Sequence, residues 1–334
     1  MKVGTLCYAT DSGLGILAKS FYDHGVVTHP VVVRHGKHQT HEDWYPGAPV
    51  LGNLDLSRIG EVLPDVDVML FFETPFVWPL VDYCRKIGVK TALMVMHECL
   101  HQEVWRHKPD LFLCPSDLDD RVVEKELYER RLGLISRINV PVEVPWRQRT
   151  RVEVFVHNAG HGGLRGRNGT KELIEALPLI KSNAKVMIRS QGSQQFSVAW
   201  SVLENETLTY DGLWKDGGLG DVFVFPEKFN GLSLPLQEAR AAGMLVMGTN
   251  RFPMNRWLPT EPLVPSYSFT RQRIGAPYTE FDEAVVAPQD IAAAIDRWYG
   301  RDITEYSLAG RRWAEENSWA ALGPKYKAIL EELC

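Results

Sequence analysis

The stretch Phe223-Val224-Phe225-Pro226-Glu227-Lys228-Phe229-Asn230-Gly231-Leu232-Ser233-Leu234-Pro235-Leu236-Gln237-Glu238-Ala239-Arg240-Ala241-Ala242-Gly243, followed by Leu245-Val246-Met247, decides the fold. Four apolar residues read as a buried strand, Asn230-Gly231 as a turn, Ser233–Ala242 as a helix, and Leu245–Gly248 as a second strand. In such an α/β unit the first turn of the helix faces the carboxyl end of the strand, where free backbone N–H groups favour an anion. The segment therefore points to a phosphate-bearing ligand.

The same alternation of short apolar runs and amphipathic runs extends along the chain, which is the sequence form of parallel βαβ units. Strands are expected near Val3–Tyr8, Val27–Val33, Val66–Phe72, Thr91–Met96 and Leu111–Cys114. Helical patterns near Leu14–Tyr22, Pro79–Ile87 and Leu118–Arg131 separate them. A proline-punctuated segment, Ile138 to Trp146, then breaks the pattern. Beyond Arg147, Arg149 and Arg151 it resumes with strands Val152–Val156, Lys185–Arg189 and Val222–Phe225 and helices Thr170–Ile180 and Asp290–Tyr299. The expected domains are 1–146, 147–305 and a helical tail, 306–334, with helices at Tyr306–Asn317 and Gly323–Leu333.

A chain of 334 residues with 45% hydrophobic content buries a large core and is longer than most single domains. A net charge of −5 gives no general polycation field, which argues against bulk electrostatic attraction to nucleic acid. Five cysteines, an odd number mostly within apolar segments, read as reduced core residues and fit a cytoplasmic protein. No cleavable leader and no apolar run of about 20 residues is evident, so stable membrane insertion is not expected.

Two glycine loops carry the remaining signal. The first, Ala9-Thr10-Asp11-Ser12-Gly13-Leu14-Gly15, follows the first strand, and Gly13 and Gly15 permit a tight turn against a ligand. It lacks a third glycine, and the second strand ends in Val33-Arg34 rather than an acidic residue, which argues against a dinucleotide cofactor. The second loop, His157 to Thr170, holds five glycines with Arg165 and Arg167. Its entropy cost fits a ligand-facing loop better than packing, and guanidinium groups suit phosphate oxygens. His97-Glu98-Cys99-Leu100-His101 matches a zinc-protease string, but it begins at a strand end and has no evident third ligand, so no metal site is expected.

These motifs resemble those of GT-B glycosyltransferases, specifically the retaining, nucleotide-sugar-dependent group related to glycosyltransferase family 4. There a strand ending in Pro-Ser precedes Glu-Gly-Phe-Gly-Leu-Pro and then Leu-Glu-Ala. Asn230 stands at the first Glu of that pattern and Glu238 at the second. The resemblance implies two facing, doubly wound Rossmann-like domains with C-terminal helices crossing back to the first, and an Asn-Ser-Trp segment between those helices fits it. It implies a donor site of Gly13, Gly15, Arg165, Arg167, Asn168, Gly231, Leu232, Ser233 and Glu238, with Glu238 on the ribose and Gly231 to Ser233 offering N–H groups to phosphate. Asn168-Gly169 replaces the family's Lys-Gly, so Arg165 and Arg167 are expected to supply the phosphate contacts. His97 and Asn230 are the implied catalytic positions.

The implied reaction moves a hexose or pentose from a nucleoside diphosphate sugar, UDP-sugar favoured, to an acceptor hydroxyl, without a cofactor or a metal. On the acceptor side stand Glu73 and the Arg34–Pro46 segment, whose Arg34, Lys37 and Trp44 combine charge with an aromatic face. A nucleic acid, a glycan or a small molecule would each fit as acceptor, and a glycosyltransferase acting on hydroxymethylated DNA bases is one subtype. A catalytically inactive sugar-nucleotide-binding module is the alternative.

Overall fold

A computed structural model of the protein describes residues 1–34, 40–52, 59–60, 63, 65–96, 99–100, 102–117, 121, 123–125, 134–160, 166–190, 203–204, 210–274 and 279–334. The chain forms two compact units, Met1–Pro141 with Ile274–Thr279 and Trp319–Cys334, and Val142–Arg273 with Glu280–Ser318. The breaks fall after Pro141 and Ser318, rather than at 146 and 305.

The first unit holds a parallel seven-stranded sheet. Its strands are β1 (Val3–Cys7), β2 (His29–Val33), β3 (Val50–Leu51), β4 (Val68–Phe72), β5 (Lys90–Met94), β6 (Leu111–Cys114) and β7 (Leu134–Arg137), in the order β3-β2-β1-β4-β5-β6-β7. The run Val68-Met69-Leu70-Phe71-Phe72 is buried on both faces, as expected of a central parallel strand. Order reverses between β1 and β4, which leaves a crevice at their carboxyl ends.

The expected strands are present, within the usual few residues at their ends. The short strands β3 and β7 and the helix Gln102–His107 are additions. Much of the helix expected at 118–131 lies outside the described residues.

The closing helix runs Trp319–Glu331 with Pro324 inside it, rather than starting at Gly323. Proline removes one backbone donor from a helix, but burial outweighs that cost here. Phe21 packs edge-on against Trp319 and Tyr326 at centroid distances of 4.8 and 4.9 Å, the Trp319 indole N–H donates to Ser20 Oγ at 2.7 Å, and the Tyr326 hydroxyl donates to Asn139 O at 2.9 Å.

The second unit holds a parallel five-stranded sheet in the order β10-β9-β8-β11-β12. These strands are β8 (Val154–Gly160), β9 (Lys185–Ser190), β10 (Leu203–Glu204), β11 (Val222–Phe225) and β12 (Leu245–Gly248). A two-stranded pair, Phe269–Ile274 with Thr279–Ala284, is separate from it. Order reverses between β8 and β11, so the second glycine loop and the Pro226–Ser233 loop leave adjacent strands at a topological switch point. The helix Thr304–Glu316 belongs to this unit, where an added Cβ on Gly310 would lie 2.3 Å from Arg240 O. That close approach requires glycine.

Among the described residues no helix is long and apolar enough to cross a membrane. The cysteines are free, with Cys7, Cys84 and Cys114 buried.

Candidate functional site

The switch point of the second unit is built by two loops that grip each other. Lys228 N–H donates to Arg167 O at 2.7 Å. Gly169 has φ 73°, and a Cβ there would lie 2.2 Å from Pro226 O. Only glycine satisfies both conditions. Asn168 Nδ2 donates to Ala159 O at 3.1 Å, tying the loop back to β8. Beneath it, His157 is fully buried, its Nδ1 donating to Val224 O and its Nε2 accepting from Thr170 Oγ1, both at 2.8 Å. Burial lowers its pKa to about 4, so the ring is neutral and pins β8, β11 and the helix Thr170–Ala176 together.

The loop after β11 is fixed by buried polar groups. Asn230 Oδ1 accepts from the N–H groups of Leu232 at 3.1 Å and Ser233 at 2.9 Å. Ser233, held at φ 50°, donates its hydroxyl to Glu227 Oε2 at 2.8 Å. Glu227 pairs with Arg251 at 3.3 Å, and Arg251 also donates to Asn230 O at 2.9 Å. A non-glycine residue at positive φ is strained and persists only where its surroundings over-determine it, as this network does. The N–H groups of Leu232 and Ser233, expected to face phosphate, are thus given to Asn230, because its short amide closes a local turn.

Glu238 lies on the helix Leu234–Ala241 and is 9% exposed. Its Oε1 accepts from the Tyr210 hydroxyl at 2.9 Å and its Oε2 from the Trp214 indole N–H at 3.2 Å. Burial raises its pKa to about 7, with both hydrogen bonds pulling the other way. Arg189, 3% exposed, bridges Asn158 Oδ1 at 2.8 Å and Leu213 O at 3.3 Å, which ties β8 and β9 to the helix Tyr210–Trp214.

Lys228 is an evident basic residue here, but Glu172 and Glu283 hold it at 3.2 and 3.0 Å. Arg167 is half-buried at the same loop junction. Arg165 lies outside the described residues, as do His97 and Lys37.

In the first unit the loop after β1 is closed by Ser12, whose hydroxyl accepts from Gly15 N–H at 3.2 Å. A Cβ on Gly15 would lie 2.1 Å from Thr10 O, whereas Gly13 faces open space. Gly15 is therefore fixed by the turn itself and Gly13 is not. Glu73, at the carboxyl end of β4, has φ 64°, and Phe76 has φ 62° with its ring edge-on to Tyr8 at 4.8 Å. Both residues follow β4, beside the point where strand order reverses. Cys99 Sγ approaches Glu73 Oε2 at 3.7 Å.

Arg34 is paired with Glu42, its Nη2 at 2.6 Å from Oε1. Trp44 stacks on His41 at 4.8 Å, and His41 Nε2 contacts Asp11 of the glycine loop at 2.8 Å. The segment thus joins the first glycine loop through His41 and Asp11, with the Arg34 charge offset by its partner.

Among the described residues no group of three His, Cys, Asp or Glu side chains is placed to hold a metal ion. The sequence does contain Asp65-Val66-Asp67 and Asp117-Leu118-Asp119. Asp67 Oδ2 accepts from Lys2 N–H at 2.6 Å and Asp65 pairs with Lys2 Nζ at 2.9 Å, before β4 rather than at its carboxyl end. Asp119 lies outside the described residues.

Sequence reasoning missed Tyr210, Trp214, Arg189 and Arg251. The signal available for Arg251 was its place directly after β12. Nothing local marked the other three.

No protein-family model matches the chain, and no curated protein matches it. Solved structures do. Sucrose-phosphate synthase from Thermosynechococcus elongatus is 12% identical with a TM-score of 0.64, covering 100% of this chain and 99% of that one. HepE of Anabaena, solved with UDP and glucose, is 10% identical with a TM-score of 0.68, covering 99% and 100%. A chain of the GtfA/B complex is 15% identical with a TM-score of 0.56, covering 83% of this chain; this chain spans 59% of its length. The full-length matches, together with two parallel, doubly wound sheets, show that the protein has the GT-B fold.

Proposed function

We propose that the protein is a glycosyltransferase that takes its sugar from a nucleoside diphosphate donor. The observation that carries this reading is Glu238, a buried carboxyl on the helix after β11, beside the two interlocked loops at the switch point of a GT-B unit. A carboxylate there accepts hydrogen bonds from the vicinal hydroxyls of a ribose. The solved HepE complex with UDP and glucose supports UDP as the nucleotide.

Arg167, with Arg165, would neutralise the diphosphate as it leaves, since Lys228 is already committed to two carboxylates. Asn230 presents an amide rather than a carboxylate at the sugar end. It supplies no charge, and we keep it as a candidate partner of the sugar hydroxyls, with its Oδ1 also bracing the Leu232–Ser233 turn. His97, Glu73 and the Arg34–Trp44 segment remain our candidates for the sugar and acceptor side.

A thermal-shift panel of nucleoside diphosphates and their sugars, followed by mass spectrometry of acceptors including hydroxymethylated DNA, tests the assignment. Glu238→Ala should weaken nucleoside diphosphate binding by about 1–3 kcal/mol. Unchanged affinity in a folded variant would sink the ribose assignment. Replacing Arg165 and Arg167 together should cost a diphosphate much more affinity than the free nucleoside, because only the diphosphate presents oxygens to guanidinium. Equal losses would mean that the arginines act on folding.

Transfer should survive EDTA, since Arg165 and Arg167 can stabilise the leaving group. Loss of activity on chelation, restored by a divalent ion, would overturn that account. The inactive binding module is favoured by one observation, the absence of a carboxylate at Asn230. Donor hydrolysis or transfer by the purified protein would exclude it.

A further inference from the structure

The helix Tyr210–Trp214 was not expected from the sequence, and the side chains at its two ends, Tyr210 and Trp214, converge on one group. The Tyr210 hydroxyl and the Trp214 indole N–H each donate to a different oxygen of Glu238. The helix is itself anchored, since Arg189 reaches Leu213 O and Asn158 on β8. Trp214 is 2% exposed and packs near Phe223 at 6.3 Å.

We propose that Tyr210 and Trp214 are positioning residues for Glu238, holding its carboxylate in place and in its charged form for the ribose hydroxyls of a nucleotide. The inference rests on the ribose reading given above. Two donors occupy one acceptor direction on each oxygen, and each oxygen keeps capacity for a further hydrogen bond. A diol can therefore be added without breaking the clamp. The clamp also resists the tendency of a buried carboxyl to stay protonated.

The surroundings leave this task to the two donors. The strands under the helix, β11 and β12, bring Phe223, Phe225 and Val246. Arg240, on the same helix as Glu238, donates to Trp257 O at 2.6 Å and lies over the Trp313 ring at 4.9 Å. The helix Thr304–Glu316 packed alongside carries Arg311, Arg312, Glu315 and Glu316, and Glu316 acts on Arg240. The Glu238 shift toward about 7 arises from burial, Tyr210 and Trp214.

Nucleotide binding needs the ionised carboxyl, so affinity should rise with pH through the Glu238 titration. Removing one donor destabilises the charged form, which moves that titration up. A hydrogen bond to a charged group is worth about one pH unit or more in such a shift.

The test is UDP affinity by calorimetry between pH 6 and 8.5 for the intact protein, Tyr210→Phe, Trp214→Phe and Glu238→Gln, with the carboxyl titration followed by infrared difference spectra against Glu238→Gln. Titration of the ligand itself is common to all four proteins and cancels in the comparison. Tyr210→Phe should bind UDP about tenfold more weakly near pH 7 and recover most of that loss at pH 8.5, with the infrared titration displaced upward. Trp214→Phe should behave in the same way, which guards against a folding defect in either variant. Glu238→Gln should be weak at every pH.

A pH-independent loss in Tyr210→Phe and Trp214→Phe, or an unmoved infrared titration, would overturn the inference while leaving the ribose assignment standing. Full affinity in Glu238→Gln would overturn the ribose assignment and this inference with it.

Discussion

Arg149→Ala is expected to destabilise the second unit by about 3–5 kcal/mol, from the loss of several charge-assisted hydrogen bonds to backbone carbonyls. Arg149 is 3% exposed and its guanidinium is spread over five carbonyls: Gly220 at 2.8 Å, Arg147 at 3.0 Å, Gly217 at 2.6 Å, Gly218 at 3.3 Å and Ala242. Its amide N–H donates to Ser307 Oγ at 3.0 Å. The side chain therefore ties the chain entering β8 to the Gly217–Gly220 turn before β11 and to the end of the helix carrying Glu238.

Alanine would take the guanidinium from the buried Gly217 and Gly218 carbonyls, and a buried acceptor left without a donor costs about 1–3 kcal/mol; Ala242 O and Gly220 O would keep only their bonds from Arg147. Burial lowers the Arg149 pKa to about 10, so the guanidinium is charged throughout the neutral range and the loss should not depend on pH there. Lysine cannot match the planar fork and should recover little. Thermal melting should fall by roughly 10 °C on the usual scaling for a domain of this size. A change below about 1 kcal/mol would show that the site relaxes or takes up water.

Gly169→Ala should cost about 2–5 kcal/mol, combining the left-handed conformation with overpacking, and should uncouple the two loops at the switch point. The Cβ would sit 2.2 Å from Pro226 O and 2.8 Å from Pro226 Cγ. Because Lys228 N–H is bonded to Arg167 O, pushing Pro226 away carries Arg167 with it. Diphosphate binding should therefore fall with stability. Gly166→Ala separates the two causes, since Gly166 has φ 66° but a Cβ there meets nothing within 4 Å. That variant should show only the backbone cost, about 1–2 kcal/mol. Equal effects of the two substitutions, measured by urea denaturation and by calorimetry with a nucleoside diphosphate, would refute the clash.

Both positions show how far local sequence carries meaning. Arg149 reads as one of three cations in a linker, and only its partners, up to 158 residues away, turn it into a buried hub. The glycines of the second loop read as ligand-facing because their entropy cost needed a reason. For Gly169 that reason is contact with a loop almost 60 residues later, which no local pattern records.

The sequence by itself determined the alternation of strands and helices, the parallel sheets, and the two glycine loops at strand ends. These follow from the period of apolar residues and from turn chemistry, which act over a few neighbours. The start of the closing helix was not local in this sense: it lies at Trp319 rather than Gly323, with Pro324 inside the helix and Trp319 packed on Phe21. Only the tertiary structure decided the state of the site. It gave Lys228 to two glutamates, gave the Leu232 and Ser233 N–H groups to Asn230, and set Tyr210 and Trp214 on Glu238 from 28 and 24 residues away. Charge and hydrogen-bond capacity belong to the residue, but what they are spent on depends on burial and on which distant groups the fold brings within 3 Å.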